Sequence, residues 1–162
     1  MVKPMKRATI DEKDKKLLAA LLMNSREKLT ELAKLLEVSV TAVSKRLQKL
    51  ENMGVVRRYS VSLDFTKLGF RITALVRIAI EPSKRNYVIN ELRKVKNILE
   101  FYEVSGDYDI IAKVVARDIS EYRDKVLTRL SRIDGIKKTS SMIVMGEYYC
   151  NPKALLEDVD NE

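Results

Sequence analysis

Residues 29–50, LTELAKLLEVSVTAVSKRLQKL, constrain this chain more than any other stretch. Leu32, Leu35 and Leu36 recur at helical spacing. Val40, Val43, Leu47 and Leu50 do so again after a break at Glu37-Val38-Ser39. So short a break leaves no room for a loop, so two helices must meet at a tight corner and bury their apolar stripes close by. Ala33 is small enough to let the second helix approach. Leu17, Leu18, Leu21 and Leu22 offer a third stripe upstream. Asp11 can cap that helix, with Asp14 three residues on, close to a capping box. The spacing predicts helices from near Asp11 to Asn24-Ser25, over Leu29–Leu36 and over Val40–Met53. Ser39 is the N-cap of the last, and Gly54 is the left-handed residue that closes it.

The hydrophobic period then changes from helical to alternating. Val55–Leu63 reads as a strand. Phe70, Ile72, Ala74, Val76, Ile78 and Ile80 share one face, opposite Arg71, Thr73, Arg77 and Glu81, and Pro82 ends the run. Val88, Leu92 and Val95 mark a helix over about Lys84–Lys96. Ile98–Val104 and Asp109–Ala116 read as strands joined by the turn Ser105-Gly106-Asp107-Tyr108. Ile119, Tyr122, Val126 and Leu130 mark a second helix, which Gly135 ends, and Ile136–Tyr149 is a last long strand. The order β-α-β-β-α-β is the ferredoxin-like split motif. The expected class is therefore α+β. A winged-type helix-turn-helix domain occupies residues 1–54 and a linker strand 55–69. A ferredoxin-like domain occupies 70–150, and an acidic tail 151–162 has a loosely ordered end.

Charge separates the same two parts. Residues 1–62 carry 14 Lys/Arg against 7 Asp/Glu, whereas the remaining residues carry 17 against 16. A basic module joined to a near-neutral one points to a polyanion-binding part and a part with another task. Charged residues make up 33% of the chain and histidine is absent, a composition compatible with a hyperthermophilic source. With one cysteine, Cys150, and no histidine, no zinc or iron ligand set exists. Cys150 is a bystander, since nothing can activate it as a nucleophile. Neither GxxxxGK[ST] nor GxGxxG occurs. Asp107 and Asp109 form a close carboxylate pair, but magnesium there has little support. No catalytic residue, metal or cofactor is expected. No apolar run approaches the roughly 20 residues that span a bilayer, and the N-terminus lacks an apolar signal region. A reducing, cytoplasmic location follows.

The third helix presents Thr41, Ser44, Lys45, Gln48 and Lys49 opposite its apolar side. In a helix-turn-helix this element lies in the major groove. Gln pairs with adenine, Lys reaches guanine, and Ser or Thr serves bases or phosphates. Arg46 lies beside the core side, where phosphate contact or packing suits it. Arg57 and Arg58 follow the helix and would sit near the DNA backbone, where cations add affinity without sequence information. Lys3, Lys6 and Arg7 suggest a basic arm or simply a disordered start. The plain alternative for the whole set is a solvated helix face. The preceding helix, the corner and the charge split favour double-stranded DNA.

Downstream, Gly106-Asp107-Tyr108-Asp109 combines a glycine that lets a ligand approach the backbone with carboxylates that can hold an ammonium group. Thr139, Ser140 and Ser141 would add hydroxyls from the neighbouring strand. A well-formed turn and small strand residues explain the same pattern without a ligand. Tyr148 and Tyr149 suit an interface or strand packing alike.

Taken together, IDEKDKKLLAALL, LAKLLEVSVTAVSKRLQKLENMGVV, SGDYDI and GIKKTSSMIVM resemble, in order and spacing, the Lrp/AsnC family of bacterial and archaeal regulators. The resemblance covers residues 9–148. It implies a DNA-binding helix-turn-helix joined to a ligand-sensing ferredoxin-like (RAM/ACT-like) domain. It also implies dimers built through that second domain, assembly into tetramers or octamers, and an amino-acid effector held near the Gly106 turn at an interface between dimers. The chain departs from the family's pattern at Glu37, where glycine is usual. If that position is left-handed, a residue other than glycine there costs about 1 kcal/mol or more. Two other functions stay open on sequence: a ligand-independent or architectural DNA binder, and an amino-acid-binding metabolic domain with an incidental basic N-terminus.

Overall fold

The structure, a computed structural model, describes residues 9–150 and 152–156. The described chain divides into two compact units. One comprises residues 9–62 with 149–156, the other Leu63–Tyr148. The division falls inside the expected linker 55–69, and Tyr149 and Cys150 belong to the first unit.

In the first unit, helix α1 (Glu12–Met23) starts on a complete capping box. The Asp11 carboxylate accepts from the Asp14 amide at 2.8 Å, and the Asp14 carboxylate accepts from the Asp11 amide at 3.2 Å. Helix α2 (Leu29–Leu36) and helix α3 (Val40–Asn52) follow. Their inward side chains Leu17, Leu32, Ala33, Leu36, Val43 and Leu50 form one core, with Leu18, Leu21, Leu47 and Val56 packed around it. Ser39 caps α3, its hydroxyl accepting from the Ala42 amide at 3.2 Å. Glu37 makes the corner. Its φ of 53° and ψ of 51° are left-handed, and among the described residues no other non-glycine has positive φ. The corner is nevertheless closed, because the Val38 amide reaches the Ala33 carbonyl at 3.1 Å. Gly54, with φ of 70°, follows α3 as expected.

The strand expected over Val55–Leu63 does not form. Val55 and Val56 turn their amides onto the Leu50 carbonyl instead, at 3.0 and 3.2 Å. The segment after them has no strand to pair with, and a ladder needs a partner. Residues 57–64 carry no regular secondary structure. The tail contributes a 3-10 turn, Pro152–Leu156, that packs on α1.

The second unit is a four-stranded antiparallel sheet of order β2-β3-β1-β4 with helices on one face. Its elements are β1 (Ile72–Ile80), α4 (Arg85–Leu92), β2 (Ile98–Glu103), β3 (Ile110–Ala116), the helical segment α5 (residues 119–131) and β4 (Ile136–Ile143). Alternation in β1 turns Ala74, Val76, Ile78 and Ile80 toward Val88, Leu92, Tyr122, Val126 and Leu130. Two expected elements end early. Helix α4 stops at Leu92, and a tighter turn that still buries Val95 carries the chain to β2. Strand β4 stops at Ile143, opposite Ala74, and one further amide, that of Val144, still donates to the Thr73 carbonyl of β1 at 2.9 Å. Within α5, Tyr122–Leu127 is π-helical. Both the amide and the hydroxyl of Thr128 reach back to the Arg123 carbonyl, the hydroxyl at 3.1 Å.

Candidate nucleic-acid interface and effector region

The corner at Glu37 and the cap at Ser39 set the start of α3, and burial of Val43 and Leu50 fixes its rotation. That rotation leaves Thr41, Ser44, Lys45 and Gln48 exposed on one side. None of the four makes a side-chain hydrogen bond or ion pair within the described chain. Arg57 and Arg58 are exposed and likewise unpaired among the described residues.

Arg46 and Lys49 behave differently. Both turn back onto α1. One Arg46 guanidinium nitrogen donates to Asp14 at 2.6 Å and to both Asp11 oxygens at 2.6 and 2.7 Å. The Lys49 ammonium donates to Asp14 at 2.8 Å and to the Thr9 carbonyl at 2.9 Å. The Asp14 side chain has no exposed surface. Burial pushes its pKa up, but the hydrogen bonds from Lys49 and Arg46 outweigh that, and the carboxyl stays below its ordinary value. The sequence carried a signal for this pairing, since Asp11 and Asp14 open α1, but nothing in it said that α3 would lie alongside.

The seven effector candidates do not form one cluster. Gly106 and Asp107 are exposed at the turn, with Gly106 at φ 130° and no atom within 4 Å of where a Cβ would sit. Tyr108 and Ser140 meet on the sheet face away from the helices. Arg77 lies between them, donating to the Ser140 hydroxyl at 2.8 Å and stacking 4.7 Å from the Tyr108 ring centroid. Lys138 adds a second cation 5.6 Å from that ring. Burial raises the Tyr108 pKa, while contacts with Ser140 and Lys138 and the Arg77 charge lower it further, leaving it below the ordinary phenol value. Thr139 and Ser141 share the opposite face, being paired with Ile78 and Val76. The Tyr122 hydroxyl and the Ser141 hydroxyl are 2.5 Å apart. Asp109 serves the fold: its carboxylate accepts from the Ile80 amide at 2.8 Å, and its own amide donates to Ile78. Sequence reasoning missed Arg77, whose Nε is buried without a hydrogen-bond partner. A lone arginine in the polar register of a strand gave no signal.

The helix-free face also carries exposed apolar surface. Met142 and Tyr102 lie on it, and Met145 and Tyr148 follow β4 almost fully exposed. Among the described residues, no group of three His, Cys, Asp or Glu is placed to hold a metal. None of the described helices is long and apolar enough to cross a membrane.

Residues 10–51 match the family described as the AsnC-type helix-turn-helix domain, and residues 73–154 match the Lrp/AsnC ligand binding domain. The chain belongs to the Lrp/AsnC family. It is 34% identical over 136 residues to the HTH-type transcriptional regulator LrpA of Pyrococcus horikoshii, covering 84% of this chain and 96% of that one. The structure superposes on E. coli AsnC with a TM-score of 0.78 at 25% identity, covering 87% of this chain and 95% of the other. A transcriptional regulator of Neisseria meningitidis, solved as a complex with L-Met, shares the fold at a TM-score of 0.78 and 24% identity. There 90% of this chain and 96% of that one are covered. Membership makes the chain a transcriptional regulator of Lrp/AsnC type, with a DNA-binding and a ligand-binding domain. The Pyrococcus and Neisseria relatives are both named as transcriptional regulators.

Proposed function

We propose that this regulator reads duplex sequence with Thr41, Ser44, Lys45 and Gln48 of α3, and that Arg57 and Arg58 add contacts to the phosphate backbone. The observation that carries it is the exposed polar face of α3, where these four side chains have no partner to give up among the described residues. Major-groove readout needs such a face, free to exchange water for base edges. Two copies joined through the C-terminal sheet would read half-sites one helical turn or a multiple apart. The helix-free face, with Met142 and Tyr102, supplies apolar surface for that pairing, and further assembly into tetramers or octamers would build on it. Footprinting on the DNA upstream of its own gene, with and without amino acids, tests sequence preference, half-site spacing and effector response together. Uniform protection of any sequence would refute the readout.

The effector, in this reading, is an amino acid bound near Gly106 and Asp107, where the turn is open, with Tyr108 and Ser140 beside it. The Neisseria neighbour's L-Met supports the ligand class. Such a ligand acts only by favouring one assembly over another. A second reading has its own observation. Asp109 is engaged with β1, and Thr139 and Ser141 face the helices, so fewer groups remain for a ligand than the sequence suggests. A C-terminal domain that only oligomerises fits that arrangement. Calorimetry with the twenty amino acids separates the two, since no heat with any of them favours the second.

A further inference from the structure

Two of the cations on α3 are committed to α1, and Asp14 is the carboxylate that both of them reach. The two Asp14 carboxylate oxygens are used separately: one accepts from Arg46 at 2.6 Å, the other from Lys49 at 2.8 Å. The same second oxygen also takes the Asp11 amide, which locks Asp14 into the first turn of α1, where the helix dipole favours a carboxylate. Asp11 then closes on Arg46 from the exposed side. Asp11, Asp14, Arg46 and Lys49 together carry no net charge. Loss of either cation would leave the cluster around the buried Asp14 carboxylate with a net negative charge, so the four groups hold one another in place.

We propose that Asp14 is a charge-restraining positioning residue: by holding Arg46 and Lys49 internally it keeps both cations out of the phosphate contacts. The inference rests on the DNA-reading function proposed above. Lys49 lies one helical step from Lys45 on the wheel, at the border of the exposed face, so its direction is set by Asp14 and not by its place in the sequence. A cation already paired inside the protein displaces no counterion from DNA. The sequence-independent part of binding is thereby weaker than the count of basic residues on α3 implies.

The test is the salt dependence of binding of the full chain to a random-sequence duplex, followed by fluorescence anisotropy from 50 to 200 mM salt as in standard practice. Lys45→Gln lowers the slope of log affinity against log salt by about one. Lys49→Gln, whose amide can still donate to Asp14, lowers it by less than about half of that. Asp14→Asn, with helicity checked by circular dichroism, steepens the slope by about one as the freed Lys49 reaches phosphate, Arg46 staying on Asp11. The proposal is overturned if Lys49→Gln removes as much slope as Lys45→Gln, or if folded Asp14→Asn gives an unchanged or shallower slope. Should Asp14→Asn not fold, the two lysine variants decide the matter alone. A chain with no salt-dependent retention of any duplex fails the DNA-binding function itself. A normal slope that loses a full unit with Lys49→Gln fails this proposal only.

Discussion

Gly135 is the position where a single added methyl group should cost the C-terminal unit most. It closes the path from α5 into β4 at φ 94°, and its carbonyl accepts the Glu81 amide at 2.7 Å, tying the end of β1 to the start of β4. A Cβ there would lie 2.7 Å from the Lys84 Cβ and 3.1 Å from a methyl of Val88. The Lys84 Cβ is fixed to its backbone and cannot rotate away, and Val88 is fully buried. Two penalties therefore add. The left-handed backbone costs about 1–2 kcal/mol for an alanine, and forcing a methyl into a packed site costs about 1–3 kcal/mol. Gly135→Ala should destabilise the unit by about 2–5 kcal/mol, the sum of the two. Gly69 is the matched control in the same unit. Its φ is 91°, yet no atom lies within 4 Å of a Cβ added there, so Gly69→Ala carries the backbone cost alone. The chain has no tryptophan, so the assay is urea unfolding followed by circular dichroism and tyrosine fluorescence. In thermal melts the Gly135 variant should fall below the Gly69 variant by at least about 4 °C. Equal destabilisation by the two substitutions would refute the contact argument.

Glu37→Gly should stabilise the N-terminal unit by about 0.5–1 kcal/mol in denaturant titrations, because it removes the left-handed penalty at the corner. Acid should unfold that unit through its ion cluster. The Arg46 hydrogen bond, against the opposing effect of burial, holds the Asp11 pKa below its ordinary value, and the Asp14 pKa is lowered as well. A carboxyl depressed in the native state contributes stability above its unfolded pKa of about 3.9, and that contribution is lost as pH falls through the native value. The melting point should therefore decline below about pH 4, and less steeply in Asp11→Asn. Met142→Asp should yield monomers in sedimentation where the parent chain dimerises; an unchanged dimer would move the interface off the helix-free sheet face.

Much of this architecture was legible in the chain. The stripe Leu32, Leu36, Val43, Leu50 forms the N-terminal core, α2 occupies its expected residues, and the alternation from Ile72 to Ile80 is the central strand. Such signals are local: a helix or strand needs only its own spacing, its caps and one apolar face. The elements that were misjudged are those whose extent depends on more than local spacing: among the described residues Val55–Leu63 pairs with no strand, α4 tightens into a turn after Leu92, and β4 stops at Ile143.

The sites follow the same rule more severely. The polar face of α3 could be drawn from spacing alone, because Val43 and Leu50 dictate which way the helix turns. The fate of Arg46 and Lys49 could not. It depends on Asp14, more than thirty residues away, coming to lie against them. Likewise Thr139, Ser140 and Ser141 are adjacent in the chain, but the register of β4 on β1 sends Ser140 to Arg77 on one face and Ser141 to Tyr122 on the other. Local spacing and caps specify most of the helices and strands, and the order of residues alone says where the positive charge sits and which family the chain joins. Tertiary structure alone decided which charged and polar side chains remain free. Pairing is a matter of distance in space, and a buried carboxylate takes the cations that folding brings within about 3 Å.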